Sequence, residues 1–83
     1  MRIYTVAFKP QAVKDLKSVP KNDANRIITK IEAMSQDLQG DVKRLTDFTP
    51  EYRLRVGDYR ILFEIEGSVI VIYRVVHRRD VYR

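Results

Sequence analysis

The sequence predicts an α+β domain, and three observations carry that expectation. Apolar residues recur at helical spacing only in the first half of the chain. Alternation of apolar and polar residues dominates after residue 50, and Gly57-Asp58 and Gly67-Ser68 divide that second half into three segments. With one early β-branched stretch, the expected order is an N-terminal strand, an αα-hairpin and a three-stranded antiparallel meander, forming one sheet with the helices packed on one face. At 83 residues the whole chain, 1–83, is a single domain with a modest core.

Ile3 to Phe8 is β-branched and aromatic enough for a first strand. Pro10 follows where the first turn of a helix tolerates proline, and Val13 and Leu16 give that short helix an apolar stripe. Pro20 opens a second helix in the same way, with Ala24, Ile27, Ile28, Ile31, Met34 and Leu38 at helical spacing until Gly40 stops it. Residues 40–50, GDVKRLTDFTP, lack a sustained period and end in proline, which predicts a loop tethered by Val42, Leu45 and Phe48. Strands are expected over 51–56, 59–66 and 69–76. Leu54 and Val56 share one face with Ile61, Phe63 and Ile65, and that face should take the helices.

The opposite face raises the functional question. A two-residue turn at Gly57-Asp58, with Gly at the position a type II′ turn favours, sets Arg55 opposite Arg60 and Arg53 on the diagonal. Opposed residues have Cβ atoms about 5 Å apart and diagonal ones about 7 Å, and like charges so placed are destabilising. Alternating charge usually marks a solvated strand face, and Glu64 and Glu66 on the same face offset part of the repulsion. The opposed Arg60 weighs against that reading and points to an anion between the guanidiniums. The third strand returns beside the second, so its end near Val75 should lie next to Arg60 and bring His77, Arg78 and Tyr82 of the terminal HRRDVYR to the cluster.

Composition agrees with a polyanionic partner. The net charge is +5, all six Lys precede residue 50, and all seven basic residues after it are Arg. Arg offers a planar fork that grips phosphate bidentately and stacks on bases, whereas Lys is a hydrated point charge. Lys14, Lys17, Lys21 and Lys30 are therefore expected to form a solvated helix face that adds diffuse attraction for nucleic acid. There is no Cys and one His, which argues against a disulfide framework, a zinc site or any metal or cofactor. The longest apolar run, Val69 to Tyr73, is far below a membrane span, so a soluble cytoplasmic protein without a membrane partner is expected.

The order of a strand, a helical hairpin, then YRLRVGDYRILFEI and a terminal HRRDVYR resembles the RelE toxins of the RelE/ParE superfamily, over nearly the whole chain. The specific parts are the YRxRxGxYR hairpin and the HRRDVY tail; the helices match only in length and pattern. The resemblance implies the toxin of a type II toxin-antitoxin system. Such a toxin is a ribosome-dependent mRNA endonuclease that cleaves the codon in the 30S A site, contacts rRNA there, and is silenced by a cognate antitoxin that wraps it. By position, the basic pair of the family's second strand falls on Arg53 and Arg55. The phosphate-gripping arginine falls on Arg60, the tail arginine on Arg78, and the stacking tyrosine on Tyr82. Many relatives read Val-Gly-His-Arg where this chain has VVHR, so Val76 replaces a small residue. ParE-type relatives share the fold and poison gyrase, but generally lack the full basic and tyrosine set.

The matching chemistry is attack of a ribose 2′-hydroxyl on the adjacent phosphate, which yields a 2′,3′-cyclic phosphate and a free 5′-hydroxyl without a metal. Three guanidiniums would stabilise the extra charge of the phosphorane. Arg is a poor general base, so His77 is the expected proton carrier, with Arg78 as stabiliser or leaving-group contact and Tyr82 stacking on a base. Two other functions remain open: a ParE-type gyrase poison, and a nonenzymatic RNA-binding module.

Overall fold

Two helices cover one face of a five-stranded mixed sheet. The computed structural model describes residues 2–80. Its elements in chain order are β1 (Thr5–Phe8), α1 (Pro10–Ser18), α2 (Lys21–Met34), β2 (Asp41–Arg44), β3 (Tyr52–Val56), β4 (Tyr59–Glu66), β5 (Val69–His77) and a 3-10 turn, Arg78–Asp80. The strands lie in the order β1-β5-β4-β3-β2, with β1 parallel to β5 and every other pair antiparallel. Among the described residues no helix is long and apolar enough to cross a membrane.

The core forms where the helices meet the sheet. Ala12, Ile27, Ile31 and Met34 pack on Leu54, Val56, Ile61, Phe63, Ile70, Ile72 and Val75. This is the face marked by alternation in the sequence. Within the helices the seam differs from expectation: Ala12, not Val13, is buried on α1, and Val13 and Ile28 remain 41% and 36% exposed. The α1 stripe therefore runs through Ala12 and Leu16, and Val13 sits on the outside of the αα-hairpin beside Ile28.

Three boundaries are corrected. Pro10 is the first residue of α1, whereas Pro20 stands one residue before α2 as its cap. The second helix ends at Met34 rather than at Gly40, because the N-terminal segment pairs with its exit. Tyr4 N–H donates to Ser35 O at 2.8 Å, Asp37 N–H to Arg2 O at 2.7 Å, and Ile3 bridges Gln36. That pairing draws residues 35–37 out of the helix. Last, the segment expected as a loop contains β2, whose Asp41–Arg44 pair with Arg55, Leu54, Arg53 and Tyr52 in turn. Val42 does tether it, half-buried against the core.

The β3–β4 register is the expected one, with Val56 opposite Tyr59 and Arg55 opposite Arg60. Gly57 has φ +56 and Asp58 has no positive φ, as a type II′ turn requires. The β4–β5 pairing carries a bulge: Phe63 faces Ile72, but Leu62 faces Arg74, so Tyr73 is the extra residue. One added residue changes the face of everything after it. Val75 thereby reaches the core opposite Ile61, and Arg74 leaves it.

Candidate nucleic-acid interface

The sheet face away from the helices is organised as two rungs that each cross four strands. One rung runs Asp41, Arg55, Arg60, Val76; the next runs Lys43, Arg53, Leu62, Arg74. Of these eight positions, five are cationic and one is acidic. Direct rung neighbours have Cβ atoms about 5 Å apart, so the cations are held close by the backbone ladder itself.

Local partners divide these cations by availability. Arg53 is drawn to the sheet edge: its Nη1 donates to Asp41 O at 2.9 Å and to Asp41 Oδ1 at 3.2 Å, and its side chain is only 16% exposed. Arg74 turns toward α1, where its Nε donates to Asp15 Oδ2 at 2.8 Å. Arg60 folds toward the hairpin turn, with Nη1 donating to Gly57 O and Tyr59 O, both at 3.1 Å. Arg55 is exposed, and no hydrogen bond or ion pair joins its side chain to another described residue. It stands between Asp41 and Arg60 with its guanidinium open to a ligand. Glu64 does not neutralise the cluster, because its Oε1 accepts from Glu51 N–H at 3.2 Å at the start of β3.

Arg78 joins the cluster from the tail. Its N–H donates to Asp58 O at 2.7 Å and its Nε lies 3.7 Å from Asp58 Oδ1, so it borders the turn that Arg60 also contacts. The acid of the turn thus holds one arginine and its flanking carbonyls hold another. Arg55, Arg60 and Arg78 gather at one end of the sheet.

His77 is elsewhere. The bulge sets it opposite Tyr59, on the face of Val56 and the helices, rather than on the face of Arg55 and Arg60. Its ring meets Tyr59 edge-on, with centroids 5.4 Å apart and an interplanar angle of 78°. The expected convergence of His77 on the arginines is therefore corrected, although the strand does return beside Arg60, at Val76 next to Val75. Lys14, Lys17 and Lys21 are exposed on the helical layer, so the sheet separates them from the arginine face. Tyr82 lies outside the described residues.

Sequence reasoning missed Asp41, Lys43, Arg74 and Asp15. The alternation in DVKR was the available signal for the first two, with Val42 the inward residue between outward Asp41 and Lys43. Asp15 is the anchor of the tail strand. Burial pushes its carboxyl up, but hydrogen bonds from Arg74, from Val75 N–H and from Gln11 outweigh that and hold it below the usual carboxylate range. The same bond from Asp15 raises the Arg74 guanidinium above its ordinary value. Among the described residues no group of three or more His, Cys, Asp or Glu is placed to hold a metal ion.

A family model described as the ParE toxin of the type II toxin-antitoxin system parDE matches residues 6–82. The chain belongs to the RelE/ParE superfamily of toxins. It is 40% identical over 82 residues to Toxin RelE3 of Methanocaldococcus jannaschii, covering 93% of each chain. Among solved structures, the toxin resembles the RelB-RelE antitoxin-toxin complex from Methanococcus jannaschii, with a TM-score of 0.77, 39% identity, and coverage of 92% of this chain and 94% of that one. It also resembles the archaeal RelE-RelB complex from Pyrococcus horikoshii OT3, with a TM-score of 0.76 and 28% identity over 93% of this chain and 97% of that one. The two helices and the five-stranded mixed sheet thus form an α+β architecture that matches RelE structures over 92% to 93% of the chain.

Proposed function

We propose that this toxin is an endoribonuclease that cleaves mRNA in the ribosomal A site, by attack of a 2′-hydroxyl on the adjacent phosphate. The observation that supports the reading most is the open Arg55 beside Arg60 on one rung, with Arg78 at the same end of the sheet. Three guanidiniums facing one phosphate would stabilise the charge that grows as the phosphorane forms, and such preorganised donors contribute about 10² to 10³ in rate each. The repulsion between Arg55 and Arg60 is relieved most in that transition state, which is the differential binding catalysis needs.

Within this reading Arg53, bonded to Asp41, anchors the edge of the face rather than gripping phosphate directly. Tyr82 keeps its assignment as a stacking platform for a base of the codon. Lys14, Lys17 and Lys21 supply long-range attraction toward rRNA from the helical side. His77, on the other face, is not in position to take the proton of the 2′-hydroxyl, and the acceptor belongs on the arginine face.

A cognate antitoxin completes the system. Two of the similar structures are antitoxin-toxin complexes, and this toxin carries an apolar groove lined by Phe8, Val13, Leu16, Ala24 and Ile28 on its helical hairpin. We assign that groove to the apolar face of the antitoxin.

Primer extension on an mRNA in a purified translation system, with the toxin added, tests the activity. Breaks within A-site codons that end in 2′,3′-cyclic phosphate are expected. Gyrase-dependent DNA breaks with intact mRNA would select a ParE-type poison, and RNA binding without cleavage a nonenzymatic module.

A further inference from the structure

We infer that Asp41 is the general base of the arginine face, an inference that rests on the proposed RNA cleavage. Three features of the site converge on this residue. Asp41 is the carboxylate of the two cationic rungs, directly across from Arg55, whose guanidinium is open to a phosphate. Its Oδ1 accepts from Arg53 Nη1 at 3.2 Å, and that same nitrogen donates to Asp41 O at 2.9 Å, so one guanidinium grips both the backbone and the side chain. Its Oδ2 has no partner among the described residues, and the side chain is 55% exposed. A base fixed by a third group through one atom, with the other atom free, is the arrangement that activates a hydroxyl nucleophile.

The placement suits the reaction. Opposed Cβ atoms lie about 5 Å apart, so a phosphate seated on Arg55 is within reach of the Asp41 carboxylate. Near-attack geometry holds the 2′ oxygen about 3 to 3.5 Å from phosphorus, and the Arg55 phosphate brings that oxygen to the edge of the sheet where Asp41 stands. Oδ2 takes the hydroxyl proton as the bond from the 2′ oxygen to phosphorus forms. The bond from phosphorus to the 5′ oxygen breaks with its electron pair on oxygen, solvent water protonates the leaving oxygen, and Asp41 returns its proton to water.

The charged groups around Asp41 are Arg53 and Arg55 on β3 and Lys43 two residues along β2. No strand lies beyond β2 among the described residues. None of these neighbours is a carboxylate or an imidazole, so Asp41 alone among them carries a side-chain acceptor suited to a base. Arg53 is accordingly a positioning residue, and its low exposure follows from the bonds that draw it to Asp41 at the sheet edge.

The test is single-turnover cleavage of ribosome-bound mRNA by wild type, Asp41→Asn and Asp41→Glu over a range of pH, with melting temperatures measured alongside. Asparagine is isosteric and its amide oxygen still accepts from Arg53, so the face stays assembled while the base is lost. Wild type is expected to slow on acidification, and Asp41→Asn to melt like wild type, to lose about 10² to 10⁴ in rate and to lose that acid limb. Asp41→Glu should recover part of the rate and retain that acid limb. Wild-type cleavage by Asp41→Asn, or a slow variant that keeps the acid limb, overturns the assignment and leaves the endoribonuclease reading standing. A wild type that does not cleave in the ribosome overturns both.

Discussion

Asp15 of α1 and Arg74 of β5 lock the first helix to the last strand. The carboxylate accepts from Arg74 Nε at 2.8 Å through the same oxygen that accepts from Val75 N–H at 2.9 Å. β1 pairs with Val69 to Ile72, and among the described residues no strand pairs that edge of β5 beyond Ile72; Asp15 accepts there from the N–H of Val75, the first inward-facing residue. The bulge at Tyr73 and this bond act together: one carries Arg74 out of the core, and the other gives it a partner.

The pH dependence of stability follows from that bond. The Asp15 carboxyl is held below its ordinary value in the folded state, so its contribution is present above the unfolded carboxylate range and is lost as pH falls through the folded value. Asp15→Asn should melt below wild type at pH 7, by an amount equivalent to about 1 to 3 kcal/mol. Acidification should narrow the gap, which melting curves from neutral pH to below about pH 4 will show.

Arg55 and Arg60 should behave differently when truncated, although they share a rung. Arg55→Ala is expected to cut mRNA cleavage about 10² to 10³-fold and to leave the melting temperature unchanged or raised, since it removes a repulsion and no bond to a described residue. Arg60→Ala should lose cleavage similarly but melt lower, because bonds to Gly57 O and Tyr59 O go with it. Paired melting and cleavage assays on the two variants read both effects.

Gly57→Ala tests the turn. The residue has φ +56, where a side chain costs about 1 to 2 kcal/mol, and an added Cβ would come within 2.7 Å of Arg26 Nη2. The contact is with the exposed far end of the Arg26 side chain, which has room to shift, so the backbone strain should dominate. A lower melting temperature is expected, together with weaker cleavage, as Arg55, Arg60 and Arg78 all border this turn.

Ile28→Asp places a charge in the helical groove at a position outside the buried core. Antitoxin affinity should fall by about 2 kcal/mol or more, with cleavage of mRNA by the free toxin unchanged. Titration calorimetry with the cognate antitoxin, beside the cleavage assay, checks both halves.

Much of the site was legible because it depends on neighbours in the chain. The turn at Gly57-Asp58 fixes which residues of its two strands oppose each other, so the Arg55–Arg60 rung follows from local sterics, and alternation assigns both to one face. Arg78 was placed correctly for a different reason: a strand of this length has to return to the turn whichever register it adopts. Asp41 was hidden, because β2 sits at the edge of the sheet and its alternation spans only four residues, too few to mark a strand without the pairing to β3.

The sequence by itself determined the α+β class, the helical hairpin, the three-strand meander, the inward and outward faces of β3 and β4, and the family. Each of these rests on periodicity or on the steric limits of a two-residue turn, which act over a few neighbouring residues. The tertiary structure alone decided where α2 stops, that residues 41–44 add a fifth strand, and which face His77 and Arg74 occupy. These depend on groups far apart in sequence: the N-terminal segment at the helix exit, β3 beside β2, and Asp15 together with the core around Val75 selecting a bulge at Tyr73. A single extra residue in a ladder of period two inverts every later side chain, and no local pattern in VIVIYRVVH distinguishes the bulged register from the unbulged one. Packing against a distant helix does.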